Sequence, residues 1–216
     1  ENKHDIQLKY YPLFLWWIIT GIIPMRASEF CELKYDCNFI DKERYWIKVS
    51  RNKVKQTSTD NQIVRVDVQE TNKFIYSFIE RYKSMLKSEH KSEYLISWKA
   101  YNYFCPKSFA ISKLKTNSEV MKTSSIRNLF KDFYRENIND ENVIPLKPGD
   151  SRHIAFCNLM LQGHNPIAIA RFGGHTRLQS QTHYYEHLDT YAESYVFAMA
   201  EKIQLSQMFK RSSGNW

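Results

Sequence analysis

The sequence predicts a mainly α-helical protein with one small antiparallel β-sheet, an α+β fold. Most of the chain repeats apolar residues at helical spacing, and several of these runs begin or end at capping residues. Only "YWIKVS" and "QIVRVDV" alternate apolar with polar residues over a full strand length, and a long basic turn, "RNKVKQTSTDN", joins them. There is no internal repeat and no low-complexity tract. At 216 residues the chain is long enough for one substantial core, or one domain with a small appendage.

In chain order, Leu13 to Ile19 reads as a wholly buried helix, broken by "TGIIP". "RASEFCELKY" starts a second helix, with Ser28 and Glu29 near its start. The two strands follow. Thr71 to Ser88 places Phe74, Ile75, Phe78, Ile79, Tyr82 and Leu86 on one helical face. "YLISW" reads as a short third strand, and Lys99 to Thr123 as mostly loop. "SSIRNLFKDFYREN" is a helix capped by Ser124 or Ser125. Ser151 begins "SRHIAFCNLMLQG", which Gly163 ends. "NPIAIARFGG" is a short helix with Asn165 as cap and Pro166 at its first position. "RLQSQTHYYEHL" and "TYAESYVFAMAEKIQLSQMFK" complete a helical C-terminal half.

Composition excludes several classes. Hydrophobic content of 43% and aromatic content of 15% argue against disorder outside the ends. The apolar run Tyr10 to Met25 is interrupted by Pro12, Gly21 and Pro24 and falls short of the roughly 20 residues of a membrane span. The polar opening "ENKHDIQ" is no signal peptide and suggests a fragment of something longer. Cys31, Cys37, Cys105 and Cys157 form no C-x-x-C pair and read as buried reduced thiols. The net charge of +8 suits an anionic partner, nucleic acid first.

Phosphodiester cleavage without a metal needs a nucleophile, cations around the phosphorane-like transition state, and a proton donor for the leaving oxygen. Arginine suits the second role through its fixed charge and planar fork. Lysine suits the third, since neighbouring cations lower its pKa. Tyrosine can be a covalent nucleophile. These types occur in order: Arg26 in "PMRASEFCEL", Lys53 in "SRNKVKQ", Arg152 in "GDSRHIAF", His175 in "FGGHT", then Tyr184 and Tyr185.

That order resembles the tyrosine recombinase (phage integrase) family over nearly all of Phe14 to Leu188. "TGIIPMRASE" is similar to the family's T-G-x-R-x-S-E-like segment, with a longer run between Gly21 and Arg26. Lys53 falls in a β-turn, as the family lysine does. "RHIAF", "LQG", "FGGH" and "YYEH" track the second family box. One position departs: the family usually has His or Lys three residues before the second arginine, where this chain has Gly149. Lys147, Asp150 and His153 are the candidates to compensate.

The resemblance implies the tyrosine recombinase catalytic-domain fold. Tyr185 is expected to be the nucleophile because x-His follows it; Tyr184 is the alternative. Arg26, Arg152 and His175 would hold the non-bridging oxygens, and Lys53 would protonate the leaving oxygen. Arg51, Lys55, Lys147, His153 and Arg177 are expected to contact DNA. It further implies double-stranded DNA as partner, a tetramer on two DNA sites, no metal or other cofactor, and a cytoplasmic, nucleoid-associated protein. Residues 1–188 would form the catalytic domain and residues 189–216 a C-terminal helix and tail, exchanged between protomers or packed on their own domain. The biological role leans to a mobile-element transposase or integrase.

Taken singly, each residue has a plainer reading. Arg26 can pair with Glu29 or Glu32 on a helix surface, and Gly173 with Gly174 can be a simple tight turn. A cation at a helix N-terminus opposes the dipole, so Arg152 hints at an anion. His183, Glu186 and His187 also spell H-x-x-E-H, a zinc-peptidase pattern, but a short motif with two wildcards arises cheaply by chance. Two other readings remain: a DNA-binding protein that keeps this fold without chemistry, and a type IB topoisomerase.

Overall fold

The computed structural model describes residues 9–52, 64–104, 119–138, 140 and 142–175. The chain divides into two compact units at Arg152/His153.

In the first unit, α1 (Tyr11–Thr20) is the central helix, packing against α2 (Ala27–Cys31), α3 (Lys73–Met85) and α5 (Thr123–Asn137). Aromatic rings make these contacts. Trp16 meets Phe130 edge-on at 4.8 Å, Tyr10 meets Phe133 at 5.1 Å, and Tyr11 stacks on Phe78 and Tyr82. Leu15, Trp16 and Ile19 are fully buried, whereas Phe14 and Trp17 are 45% and 42% exposed. The helix is apolar all round but buried on one side, so it is not wholly buried as expected.

The sheet has three antiparallel strands in the order β1 (Asn38–Asp41), β2 (Arg44–Asn52), β3 (Val64–Thr71). Sequence pattern missed β1. Its hairpin turns on Lys42 and Glu43, both at positive φ (46° and 63°), where Asn-Gly is the usual signal. Ile47, Val49, Arg51, Asp67 and Gln69 occupy the buried face.

"YLISW" is not a strand. Tyr94 and Ser97 make only isolated bridges, to Lys34 and Val120, because each partner segment crosses it for a single residue. The stretch after it, expected to be mostly loop, opens with α4 (Trp98–Phe104), where Ser97 Oγ accepts from the Ala100 N–H at 3.1 Å; residues 105–118 lie outside the described residues. Helix α3 is capped by Asn72, whose side chain accepts from the Ile75 N–H at 2.9 Å. Helix α5 begins at Thr123 with no side-chain cap, so Ser124 and Ser125 lie inside its first turn. The segment "RASEFCELKY" is helical only over the five residues of α2.

Helix α6 (Asp150–Leu161) carries the division between the units. Within the second unit, α6 and α7 (Pro166–Phe172) enclose Phe156 and Ile169, with Leu159 and Met160 packed against them. Asn165 caps α7 as expected, its Oδ1 accepting from the Ile167 N–H at 2.8 Å with Pro166 at the first position. Gly163 ends α6 at φ +76°, with His164 N–H bonding Leu159 O and Gly163 N–H bonding Met160 O. These two closures are a Schellman motif, which requires the left-handed residue that glycine supplies without strain.

Cys31, Cys37 and Cys157 are buried free thiols, as expected; Cys105 lies outside the described residues. Among the described residues no helix is long and apolar enough to cross a membrane.

Candidate active site

The first unit gathers its arginines around one carboxylate. Glu29 is fully buried. It sits three residues after Arg26, so its carboxylate turns back to the start of α2. Oε2 accepts from the Arg26 backbone N–H at 2.7 Å, and Oε1 accepts from Arg26 Nη1 at 2.8 Å. From the sheet, Arg51 Nη1 donates to Glu29 Oε2 at 2.9 Å, while its Nε donates to Asp67 Oδ2 at 3.2 Å. From the start of α6, Arg152 Nη1 donates to Pro24 O at 2.9 Å and lies 3.9 Å from Glu29 Oε2.

Two side chains brace this arrangement. Thr20 Oγ1 donates its proton to Trp16 O at 2.7 Å, so Ser151 must be the donor in the buried 2.5 Å contact between the two hydroxyls. That bond ties the residue before Arg152 to the end of α1. Between Thr20 and Arg26, the buried side chains of Ile23 and Met25 anchor the loop that offers the Pro24 carbonyl.

The electrostatic balance favours an anion. Arg26, Arg51 and Arg152 face Glu29 and Asp67, and Arg65 shares Asp67 at the rim. The cations outnumber the carboxylates, so a phosphate arriving at the exposed end would lower the energy of the group. That end is Arg26, whose side chain is 40% exposed. Its plainer reading, an ion pair with Glu29, is present, but it occupies one edge of a five-donor fork.

Arg51 was expected at the surface among the DNA contacts. Its side chain is only 3% exposed and lies between two carboxylates, so its charge acts from within the fold. Lys147 is exposed, and its backbone N–H donates to Asp150 Oδ2 at 2.7 Å, which ties the turn before α6 to the helix's first residue. Sequence reasoning missed Glu29 and Asp67 as site residues. The signal for Glu29 was its spacing in "RASE"; Asp67 carried none, because alternation in "VRVDV" assigns the valines to the buried face, whereas the structure buries Asp67 and leaves Val66 and Val68 55% and 52% exposed.

His175 belongs to the second unit. Helix α7 ends as α6 does: Gly174 sits at φ +70°, His175 N–H bonds Ala170 O at 2.8 Å, and Gly174 N–H bonds Arg171 O at 3.0 Å. The imidazole stacks on Phe156, with centroids 5.0 Å apart and planes within 22°. Gly173 is equally constrained: a Cβ there would meet Phe156 Cζ at 2.2 Å. "FGGH" is therefore a built helix ending in which each glycine has its own reason. His153, expected to contact DNA, is half-buried in α6.

Lys53, Lys55, Arg177, Tyr184 and Tyr185 lie outside the described residues, as does the H-x-x-E-H motif. Among the described residues no group of three His, Cys, Asp or Glu side chains could hold a metal ion.

The fold is shared with solved recombinases. The XerH site-specific recombinase bound to its difH substrate, in a pre-cleavage complex, superposes with a TM-score of 0.54 at 14% identity, over 89% of this chain and 47% of that one. The XerA recombinase gives 0.51 at 16% identity, over 85% and 58%. The integrase of transposon Tn1549, in complex with circular intermediate DNA, gives 0.52 at 21% identity, over 82% and 55%. The chain thus spans about half the length of these proteins. No curated protein sequence matches it. The phage integrase family model matches residues 2–191, and with the fold and the arginine cluster in agreement, the chain belongs to the phage integrase family.

Proposed function

We propose that this chain is the DNA-cleaving and rejoining part of a site-specific recombinase, of the kind that integrates or transposes mobile DNA. The observation that carries this reading is the buried Glu29 around which Arg26, Arg51 and Arg152 converge from three separate segments. A surface ion pair needs no such assembly. A site for a phosphodiester does, because its charge must be met by groups fixed before the substrate arrives.

The hydroxyl oxygen of Tyr185, or of Tyr184, releases its proton to water and attacks a DNA phosphorus. The P–O5′ bond breaks, leaving a 3′-phosphotyrosyl link and a 5′-hydroxyl that takes its proton from Lys53. Arg26, Arg152 and His175 hold the non-bridging oxygens; Glu29 keeps the Arg26 and Arg152 guanidinium groups oriented, and Asp67 braces Arg51 behind it. The covalent bond conserves the phosphodiester energy, so attack by a 5′-hydroxyl reverses the step. Lys55, Lys147, His153 and Arg177 add contacts to duplex DNA. Residues 1–188 are the catalytic domain, and residues 189–216 link protomers of a tetramer on two DNA sites.

The test is a denaturing gel of the protein with supercoiled plasmid and with nicked duplexes, beside Tyr185→Phe and Tyr184→Phe. A covalent adduct lost only in Tyr185→Phe establishes the reading, and loss only in Tyr184→Phe moves the nucleophile by one residue. One observation favours a second reading, a DNA-binding protein without chemistry: a Cβ at Gly149, where the family helper usually sits, would meet nothing within 4 Å. Salt-sensitive DNA binding without an adduct from the wild type would select it.

A further inference from the structure

We infer that Phe156 is a positioning residue for His175: its ring fixes the plane of the imidazole, and Gly173 is glycine so that the ring can reach it. The inference rests on the role proposed above for His175. Three observations meet at this point. The Phe156 ring is fully buried and lies nearly parallel to the imidazole at 5.0 Å. The same ring fills the space where a side chain of residue 173 would begin, 2.2 Å from its Cζ and 2.7 Å from its Cε1. And the His175 backbone is held independently by the bond to Ala170 O.

The physical consequence follows from imidazole geometry. A histidine side chain has two rotatable bonds, and a backbone anchor fixes neither. Stacking covers one face and restricts the tilt of the ring. Stacking on a face does not itself occupy the in-plane direction, along which a ring N–H donates to a phosphate oxygen. A histidine so held reaches the transition state without first being ordered. Gly173 has an ordinary helical φ of −78°, so alanine is excluded there by the Phe156 ring rather than by backbone strain.

The test is a double-mutant cycle on the whole chain, with Phe156→Leu and His175→Ala singly and together, and Gly173→Ala as a second way to displace the ring. The readouts are the single-turnover rate of adduct formation at saturating DNA, the affinity for DNA, and the NMR resonances of the His175 ring protons. Phe156→Leu and Gly173→Ala should each slow adduct formation by about tenfold or more with affinity within about twofold. In the His175→Ala background Phe156→Leu should change the rate by less than about twofold. The His175 ring protons should be shifted upfield in the wild type and lose that shift in Phe156→Leu. An equal loss of rate with and without His175 would overturn the inference, because Phe156 would then act only through the core. Unshifted His175 protons in the wild type would overturn it whatever the activity. If the wild type forms no adduct, the proposed function fails, and the NMR arm still decides the contact.

Discussion

Glu29→Gln removes one charge and almost no volume, and its effect can be worked out from the site. The wild-type carboxylate accepts the Arg26 backbone N–H, Arg26 Nη1 and Arg51 Nη1. Both oxygens face donors, so either orientation of a glutamine amide aims its NH2 group at another N–H. The buried Arg51 keeps Asp67 as a partner, and Arg152 keeps the Pro24 carbonyl. Removing one partner of a buried ion pair costs about 3–5 kcal/mol. For a chain of this size each kcal/mol is worth roughly 2–4 °C, so the melting temperature should fall by about 6–20 °C. Thermal unfolding followed by circular dichroism measures this, with Arg26→Gln as control. Arg26 is 40% exposed, and Glu29 keeps the buried Arg51 when Arg26 is replaced, so that variant should melt closer to the wild type than Glu29→Gln does. If Glu29→Gln melts no lower than Arg26→Gln, Glu29 is not what holds the arginines and the reasoning is wrong.

Other outcomes follow from the same structure. Arg26→Gln should weaken DNA binding and reduce the slope of log affinity against log salt by roughly one unit, as loss of one phosphate contact requires; an unchanged slope removes Arg26 from the phosphate site. Burial pushes the Cys31 and Cys37 thiols up to about 12, with the Glu32 carboxylate adding to the effect at Cys31. Iodoacetamide at pH 8 should therefore leave both unlabelled until the chain unfolds. Because these folded values lie above the usual 9.0, their contribution to stability is intact below about pH 9 and is lost as pH rises towards 12, which an alkaline melting series measures. Burial raises the Glu136 pKa, but hydrogen bonds from Lys9 and Tyr10 outweigh it and hold the carboxyl below its usual 4.5. Its contribution is present above that value and lost as pH falls through the lower folded value, so the gap in melting temperature between wild type and Lys9→Met should narrow steadily as the pH is lowered below 4.5.

Much of the architecture was legible because periodicity reports which side of an element is buried. Helix α3 and strand β2 follow from it directly, and the Asn165-Pro166 start and Gly163 end follow from capping chemistry; β3 was legible as a strand but not in its facing, since it buries Asp67 and Gln69 and exposes Val66 and Val68. Strand β1 was not legible because its turn uses Lys42 and Glu43, which carry no hairpin signal. "YLISW" has strand composition, yet strand composition cannot reveal whether a neighbouring strand exists to pair with it. For the site, the order of Arg26, Arg152 and His175 could be read from the chain. The shared carboxylate could not, because Arg51, Asp67 and Glu29 are brought together only by the pairing of β2 with β3 and the packing of α2 on β2. A cation in a basic turn looks like a surface contact until tertiary structure places an acid beside it. The same limit applies to Phe156, whose contact with His175 spans 19 positions in sequence.

The β1–β2 turn has a consequence for solubility. Among the described residues the sheet ends in two open edges, β1 and β3, and its outer surface exposes Val66 and Val68 at 55% and 52%. Open edges beside apolar patches invite pairing between molecules. The short β1 is closed off by the charged run Asp41-Lys42-Glu43-Arg44, and β3 carries Arg65, Asp67 and Glu70. Holding Lys42 and Glu43 in the left-handed region costs roughly 1–2 kcal/mol per residue. Replacing the pair with Asn-Gly would recover part of that cost and strengthen the hairpin. It would also strip both charges from the tip, so the more stable molecule would be the one more prone to aggregate through its β1 edge.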